Sequence, residues 1–163
     1  ANNVKPSLIR TNADELTYHL HVLIRYEIEK ELIEGKIMAK DLPDIWNLKY
    51  HEYLGVEVPS DALGVLQDIH WSHGSFGYFP TYTLGNLYSA QLLTTARKDL
   101  GDLESQIKEG DFLPLLDWMR ENIHSRGSIL EPALLIEEAT GSPPSSDEFI
   151  DYLKNKIKDL YEI

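Results

Sequence analysis

The chain has 163 residues, 42% of them hydrophobic, and a formal net charge of −12 from 15 Lys and Arg against 27 Asp and Glu. This composition excludes a disordered chain and suffices for one domain with its own core or for one part of a larger unit, while the negative charge argues against nucleic-acid binding. The lack of cysteine excludes disulfides, thiolate ligands and thiolate catalysis.

The first predicted element is a long amphipathic helix over residues 12–33, in which apolar residues recur at spacings of three and four. Six further helices follow by the same pattern: 43–54, from just past Pro80 to about 99, 102–108, 111–123, 131–140 and 147–161. Ser145 and Glu148 predict a capping box at the start of the last one. No segment alternates like a strand, so the prediction is an all-α bundle of about seven or eight helices forming a single unit over 1–163.

The segment from Gly64 to Tyr82 has neither helical nor strand periodicity and combines polar, aromatic and glycine residues. Such a composition is costly to bury and poorly suited to a core. We therefore expect this segment to form a site.

A metal site is one hypothesis for this segment, since His70 and His73 are three residues apart and Asp68 precedes them. Zinc requires three or four ligands, however, and no HExxH motif is present: His51-Glu52 is followed by no second histidine at the required place. The more economical interpretation is that His70 and His73 form hydrogen bonds in a polar cleft. We expect no metal bound by this chain alone.

Arg10 lies at the predicted start of a helix, where the helix dipole disfavours a cation. It either binds a carboxylate through a bidentate guanidinium or forms an ion pair with Asp14. Tyr78 and Tyr82 lie beside glycine and proline and are either site residues or loop anchors. His19 and His21 point to different faces of the first helix, so one is expected at the site and the other at solvent or a partner.

Two sequence patterns resemble the HExxH zinc metallocarboxypeptidases typified by the thermostable carboxypeptidases of thermophilic bacteria and archaea. The family's [IV]RxxAD motif corresponds to Ile9-Arg10-Thr11-Asn12-Ala13-Asp14, and its GxxQDxHW motif corresponds to the run from Gly64 to Trp71. The family's HExxH helix and HES[QG] segment, which carry the zinc ligands and the general base, are absent. The chain thus resembles the C-terminal third of such an enzyme, and its fold is expected to be part of a larger helical metallopeptidase fold.

The resemblance implies that the complete enzyme uses zinc, or another divalent metal, to release C-terminal amino acids from peptides. It implies that Arg10 binds the substrate carboxylate, that Tyr82 or, second, Tyr78 hydrogen-bonds the substrate, and that His70 lines the cleft near the reacting carbonyl. Tyr82 and His70 are the expected catalytic residues of this chain. The residues expected to orient them are Gln67, Asp68, Trp71 and Asp14.

The expected partners are a peptide with a free C-terminus, the N-terminal portion of the same enzyme and a second copy in a homodimer. Nucleic acid and membrane are not expected, because no apolar run is long enough for a span and no secretory pattern opens the chain. A cytoplasmic location is expected, and the chain alone is expected to be inactive. The alternative is a non-enzymatic helical interaction domain that binds a protein through the aromatic loop 71–82.

Overall fold

A computed structural model describes residues 3–162, which fold into seven α-helices and five short 3-10 segments without any β-strand. The α-helices are α1 Tyr18–Ile33, α2 Leu42–Leu54, α3 Pro80–Leu100, α4 Leu103–Glu109, α5 Leu113–Asn122, α6 Pro132–Thr140 and α7 Asp147–Tyr161. The 3-10 segments are Arg10–Asn12, Ala39–Asp41, Asp61–Leu63, Trp71–His73 and His124–Arg126. The all-α prediction is confirmed.

The chain divides into two compact units, Ala1–Thr83 and Leu84–Ile163. The prediction of a single unit over 1–163 stays a prediction, and its end residues Ala1, Asn2 and Ile163 lie outside the described residues.

The first helix begins at Tyr18, six positions later than the predicted start at Asn12. Asp14 is the physical reason, because its Oδ1 accepts the backbone N–H groups of Leu16 and Thr17 and its Oδ2 accepts the Thr17 hydroxyl. These bonds hold a turn in front of the helix, as Asp side chains commonly do. Arg10 therefore lies in a separate 3-10 segment and not on the first helix.

The predicted ends of the later helices are close to the observed ones, and four of these helices are followed by a glycine in the left-handed region: Gly55, Gly101, Gly110 and Gly141. The predicted capping box of α7 is wrong. The residue before α7 is Ser146, which makes no side-chain cap bond, and the hydroxyl of Ser145 accepts the N–H of Asp147 instead. Glu148 takes no part in it.

The core of the first unit lies between α1 and α2. Its fully or almost fully buried apolar residues are Ile24, Ile28, Trp46, Tyr50 and Leu54. Trp46 stacks on Tyr50 with ring centroids 4.9 Å apart and meets the edge of Trp71 at 6.2 Å. This aromatic group anchors the segment from Gly64 to Tyr82 against the two helices.

The core of the second unit is apolar around Ala96, Leu103 and Trp118. One buried polar side chain, Gln91 on α3, binds the loop after α6. Its amide nitrogen donates to oxygens of Thr140, Ser142 and Pro143 at 3.0–3.2 Å, and its carbonyl oxygen accepts the N–H of Ser145 at 3.2 Å. Within residues 3–162, no helix is both long enough and apolar enough to cross a bilayer.

Candidate functional site

Arg10 lies at the centre of the polar cluster in the first unit, and its side chain is only 9% exposed. Its Nε and Nη2 donate to Oδ1 of Asp68 at 3.2 and 2.8 Å, and its Nη1 donates to the Tyr18 hydroxyl at 3.1 Å. The guanidinium carbon also lies 5.0 Å from the centre of the Tyr82 ring. Arg10 is thus fixed by Asp68 and not by Asp14, so the ion-pair alternative of the sequence analysis is wrong.

Asp68 bridges two arginines, one on each carboxylate oxygen. Its Oδ2 accepts Nε of Arg25 at 2.6 Å, while its Oδ1 binds Arg10. Burial by itself would raise the pKa of Asp68, but hydrogen bonds and charges from the two guanidiniums hold that pKa below its usual value. The carboxylate is therefore ionised, and the three side chains carry a net charge of +1.

Arg25 has no exposed surface. Its Nη1 donates to the backbone oxygen of His21 at 2.8 Å, and its guanidinium carbon lies 4.5 Å from the Trp46 ring centre and 5.5 Å from that of Phe79. A cation enclosed by aromatic faces is stabilised by the ring quadrupoles. Arg25 has access to no ligand and can influence one only through Asp68.

His70 and Tyr82 lie beside this ionic group, with Nε2 of the imidazole 3.2 Å from the phenol oxygen. Burial, together with neighbouring positive charge, lowers the pKa of His70, and burial raises the pKa of Tyr82. Both groups are therefore neutral at pH 7 and share one hydrogen bond. Tyr78 stacks on His70 at 5.7 Å between ring centroids and stays 48% exposed.

Gln67 fixes the backbone around Arg10. Its Oε1 accepts the N–H of Arg10 at 3.0 Å, and its Nε2 donates to the oxygen of Leu8 at 3.0 Å and to the Tyr50 hydroxyl at 3.3 Å. The Tyr50 hydroxyl also lies 3.0 Å from Nδ1 of His21. This chain of bonds connects the GxxQDxHW segment to both α1 and α2.

Three buried polar residues of α1, which we call the α1 polar row, lie one helical turn apart: His21, Arg25 and Glu29. His21 reaches Gln67 through Tyr50, Arg25 binds Asp68, and Glu29 accepts the backbone N–H of Gly77. Burial raises the pKa of Glu29. The row thus binds successive parts of the segment from Gly64 to Tyr82.

The other predicted site residues lie apart from the ionic group. Asp14 forms the turn before α1, and its hydrogen bonds, against the effect of burial, hold its pKa below the usual value. Trp71 packs among Trp46, Phe76 and Phe79. His73 meets the hydroxyl of Ser75 at 3.0 Å, and Nδ1 of His19 lies 3.0 Å from the hydroxyl of Thr83.

Sequence reasoning missed Arg25, Tyr18 and Glu29 as members of this site. A signal was present in α1, where the spacing 21, 25, 29 places three polar residues on a face that also carries Ile24 and Ile28. Polar residues at helical spacing within an apolar face need buried partners. The pattern therefore predicts that buried partners exist, but it does not identify the residues.

The metal hypothesis for the histidine pair gains no support from the geometry. Across residues 3–162, no three His, Cys, Asp or Glu side chains lie together in a way that could hold a metal ion. His70 is committed to Tyr82, and His73 faces outward beside Ser75.

Comparisons with known proteins agree with one another. Residues 1–157 match the family model described as carboxypeptidase Taq (M32) metallopeptidase. The chain is 50% identical over 160 residues to thermostable carboxypeptidase 1 of Thermus thermophilus, covering 98% of this chain and 31% of that protein. It is 46% identical over 160 residues to carboxypeptidase 1 of Bacillus subtilis, covering 98% and 32%.

Solved structures show the same similarity in three dimensions. The M32 carboxypeptidase of Deinococcus radiodurans R1 is 44% identical, with a TM-score of 0.95 over 99% of this chain and 33% of that one. The chain thus spans about a third of the length of these relatives.

Proposed function

Because the chain belongs to the carboxypeptidase Taq (M32) family of metallopeptidases, we propose that it is the part of a metallocarboxypeptidase that binds the C-terminal carboxylate of a peptide substrate. The relatives named above are carboxypeptidases and are about three times as long as this chain. Release of C-terminal amino acids is accordingly proposed for a longer parent protein, and the chain alone is inactive under this proposal.

The donor count of Arg10 is the observation that carries the proposal. A guanidinium has five N–H donors. Three of them donate to Asp68 and Tyr18, so five minus three leaves two, one on Nη1 and one on Nη2, without an acceptor among the described residues. One donor on each terminal nitrogen suits bidentate binding of a carboxylate. The net charge of +1 favours an anion at this place.

Tyr82 is the proposed second contact to the substrate, with Tyr78 as the less favoured one. A neutral phenol whose ring lies against Arg10 can donate to a substrate oxygen or to a developing oxyanion. His70 would line the cleft near the reacting carbonyl and hold the Tyr82 hydroxyl. Gln67 and Asp68 would orient Arg10, while Trp71 and Asp14 would support the segments that carry these groups.

The proposal for the metal and for the other partners concerns the parent protein. By resemblance to the family, zinc or another divalent metal would be bound by HExxH and HES[QG] residues in the N-terminal portion of the parent protein. A homodimer and a cytoplasmic location are proposed on the same resemblance.

A test uses the complete parent protein, loaded with its metal, and an N-acylated alanine tripeptide as the free acid and as the C-terminal amide. We expect release of alanine from the acid and little from the amide. Arg10→Met should lower kcat/KM for the acid by about 100-fold or more, since a charge-assisted bidentate contact is lost. Arg120→Met, whose side chain is 60% exposed, is the matched control and should leave activity unchanged.

The proposal fails if the parent protein releases no C-terminal residue, or if Arg10→Met hydrolyses the acid as well as the wild type does. The second outcome would assign carboxylate recognition to another residue.

An interaction domain is the second candidate, because several apolar side chains of the segment from Gly64 to Tyr82 are exposed. Ile69 is 69% exposed, and Phe76 and Tyr78 are 45% and 48% exposed. Exposed apolar patches on a protein surface mark interaction sites. A parent protein without peptidase activity that still binds a protein partner, and loses this binding in Phe76→Ser, would favour this function.

A further inference from the structure

Arg25 differs from Arg10 in its access to ligands, although both bind the same carboxylate. Arg10 keeps two N–H donors without described acceptors, whereas Arg25 is fully enclosed by aromatic rings and by α1. A buried cation that no ligand can reach is costly unless it is paired. Its single carboxylate partner, Asp68, is also the partner of Arg10.

The charges of the cluster explain what Arg25 contributes. With one carboxylate between two guanidiniums, the group has a net charge of +1. Without Arg25, Asp68 would neutralise Arg10 alone, and its Oδ2 would be free to take the Arg10 donors that a bound carboxylate needs. Two other carboxylates of the first unit bind other groups: Asp14 binds Thr17 and Lys5, and Glu29 accepts the N–H of Gly77 through one oxygen.

We propose that Arg25 is a positioning residue for substrate binding: it holds one oxygen of Asp68, so that the cluster keeps a net positive charge and Arg10 keeps two donors for the substrate carboxylate. The inference rests on the proposed function. It assigns the second arginine a role in affinity for the C-terminal carboxylate and no contact with the substrate.

The α1 polar row supports this assignment by geometry. His21 receives the Tyr50 contact and its backbone oxygen accepts Nη1 of Arg25, so the guanidinium is held at both ends. Rotation of Arg25 away from Asp68 would break this bond and the contact with the Trp46 ring. Arg25 is therefore pre-organised before any substrate is present, which avoids an ordering penalty on binding.

The test compares variants of the complete, metal-loaded parent protein, with the N-acylated alanine tripeptide acid as substrate and N-acetylalanine as competitive inhibitor. Arg25→Gln retains a donor for Asp68 but removes the charge, so we expect KM and the inhibition constant to rise about tenfold, with kcat changed by less than about twofold. Arg25→Lys restores the charge and should return both constants to within about threefold of wild type.

A double variant separates charge balance from a merely structural role. Arg25→Gln with Asp68→Asn has the same net charge as the wild-type cluster, so its KM should lie below that of Arg25→Gln. A structural role predicts the opposite, because two changes in one packed site should disturb it more than one. If Arg25→Gln does not fold, the double variant is tested by itself. A KM tenfold or more above that of the wild type then overturns the proposal.

Failure of this inference is distinguishable from failure of the proposed function. If Arg10→Met raises KM for the acid and Arg25→Gln does not, Arg25 is not a positioning residue and the proposed function stands. If Arg25→Gln lowers kcat and leaves the inhibition constant for N-acetylalanine unchanged, the proposal is overturned as well. If Arg10→Met has no effect, the proposed function fails first.

Discussion

The segment from Gly64 to Tyr82 in the first unit and the loop 141–146 in the second are both bound by buried polar side chains of a long helix. In the first unit a fully buried arginine of α1 binds a carboxylate of the segment itself, Asp68, whereas in the second a single neutral amide, Gln91, makes the contacts. Buried ion pairs are often no more stabilising than apolar packing. A neutral amide suffices to order a loop, so the charges in the first unit indicate a task beyond order.

That contrast predicts that removing a buried carboxylate lowers the free energy of unfolding much more than removing an exposed one. Asp68→Ala removes the only ionic partner described for Arg25 and for Arg10, and we expect a loss of about 3–5 kcal/mol in the free energy of unfolding. Asp117→Ala breaks an ion pair in which the carboxylate is 69% exposed, and should cost no more than about 0.5 kcal/mol. Urea unfolding followed by tryptophan fluorescence measures both, and equal losses would contradict the comparison.

His21, in the α1 polar row, predicts that the free energy of unfolding depends on pH. Burial and the charges of Arg25 and Arg10 lower the pKa of His21 to about 4, against the opposing charges of Asp68 and Asp14. The unfolded chain therefore binds a proton that the folded chain does not, and stability contributed by neutral His21 is lost as the pH falls from about 6.5 to 4, amounting to roughly 2–3 kcal/mol. Unfolding of wild type and of His21→Gln between pH 7.5 and 4 tests this, because the variant should lack that part of the slope.

In the second unit, the comparable prediction concerns the neutral side-chain amide of Gln91. Gln91→Leu keeps the volume but removes the hydrogen-bond partner of the N–H of Ser145 and of the oxygen of Pro143, and one of the two donors to the oxygen of Ser142. We expect a loss of about 2 kcal/mol. Ser89→Ala, an exposed change on the same helix, is the control and should stay within about 0.5 kcal/mol of wild type. Both are read from urea unfolding, and a Gln91→Leu protein as stable as wild type would show that the loop needs no hydrogen-bonding anchor.

The smallest expected effect concerns close packing at the start of the same segment of the first unit. A Cβ at Gly64 would lie 2.7 Å from Cγ1 of Val58 and 3.2 Å from the backbone oxygen of Ser60. Gly64→Ala should therefore cost about 1–2 kcal/mol, and Val58→Ala should recover part of this loss by removing the first contact. Thermal unfolding of the single and double variants measures the recovery, and strictly additive losses would argue against the clash. Gly85→Ala, where a Cβ meets nothing within 4 Å, is the control.

Much of the helical framework followed from the sequence because its causes are local. Apolar spacing predicted α2 through α7 to within a few residues, and glycine predicted the ends of helices at Gly55 and Gly110. The two motifs also predicted the family, and Arg10, Asp68 and His70 are neighbours in the structure as the motifs imply. Their roles toward a substrate stay predictions.

Tertiary structure decided what depends on contacts between distant positions. The later start of α1, at Tyr18, is by contrast a local effect that apolar spacing did not reveal, because Asp14 competes for the backbone N–H groups in front of the helix. Asp68 pairs with Arg10, 58 residues away in sequence, and with Arg25, 43 residues away. No local periodicity of the sequence predicts such pairs. Helix and turn propensity act over a few residues, so the sequence by itself determined the elements and the motif, whereas folding alone determined which charges meet.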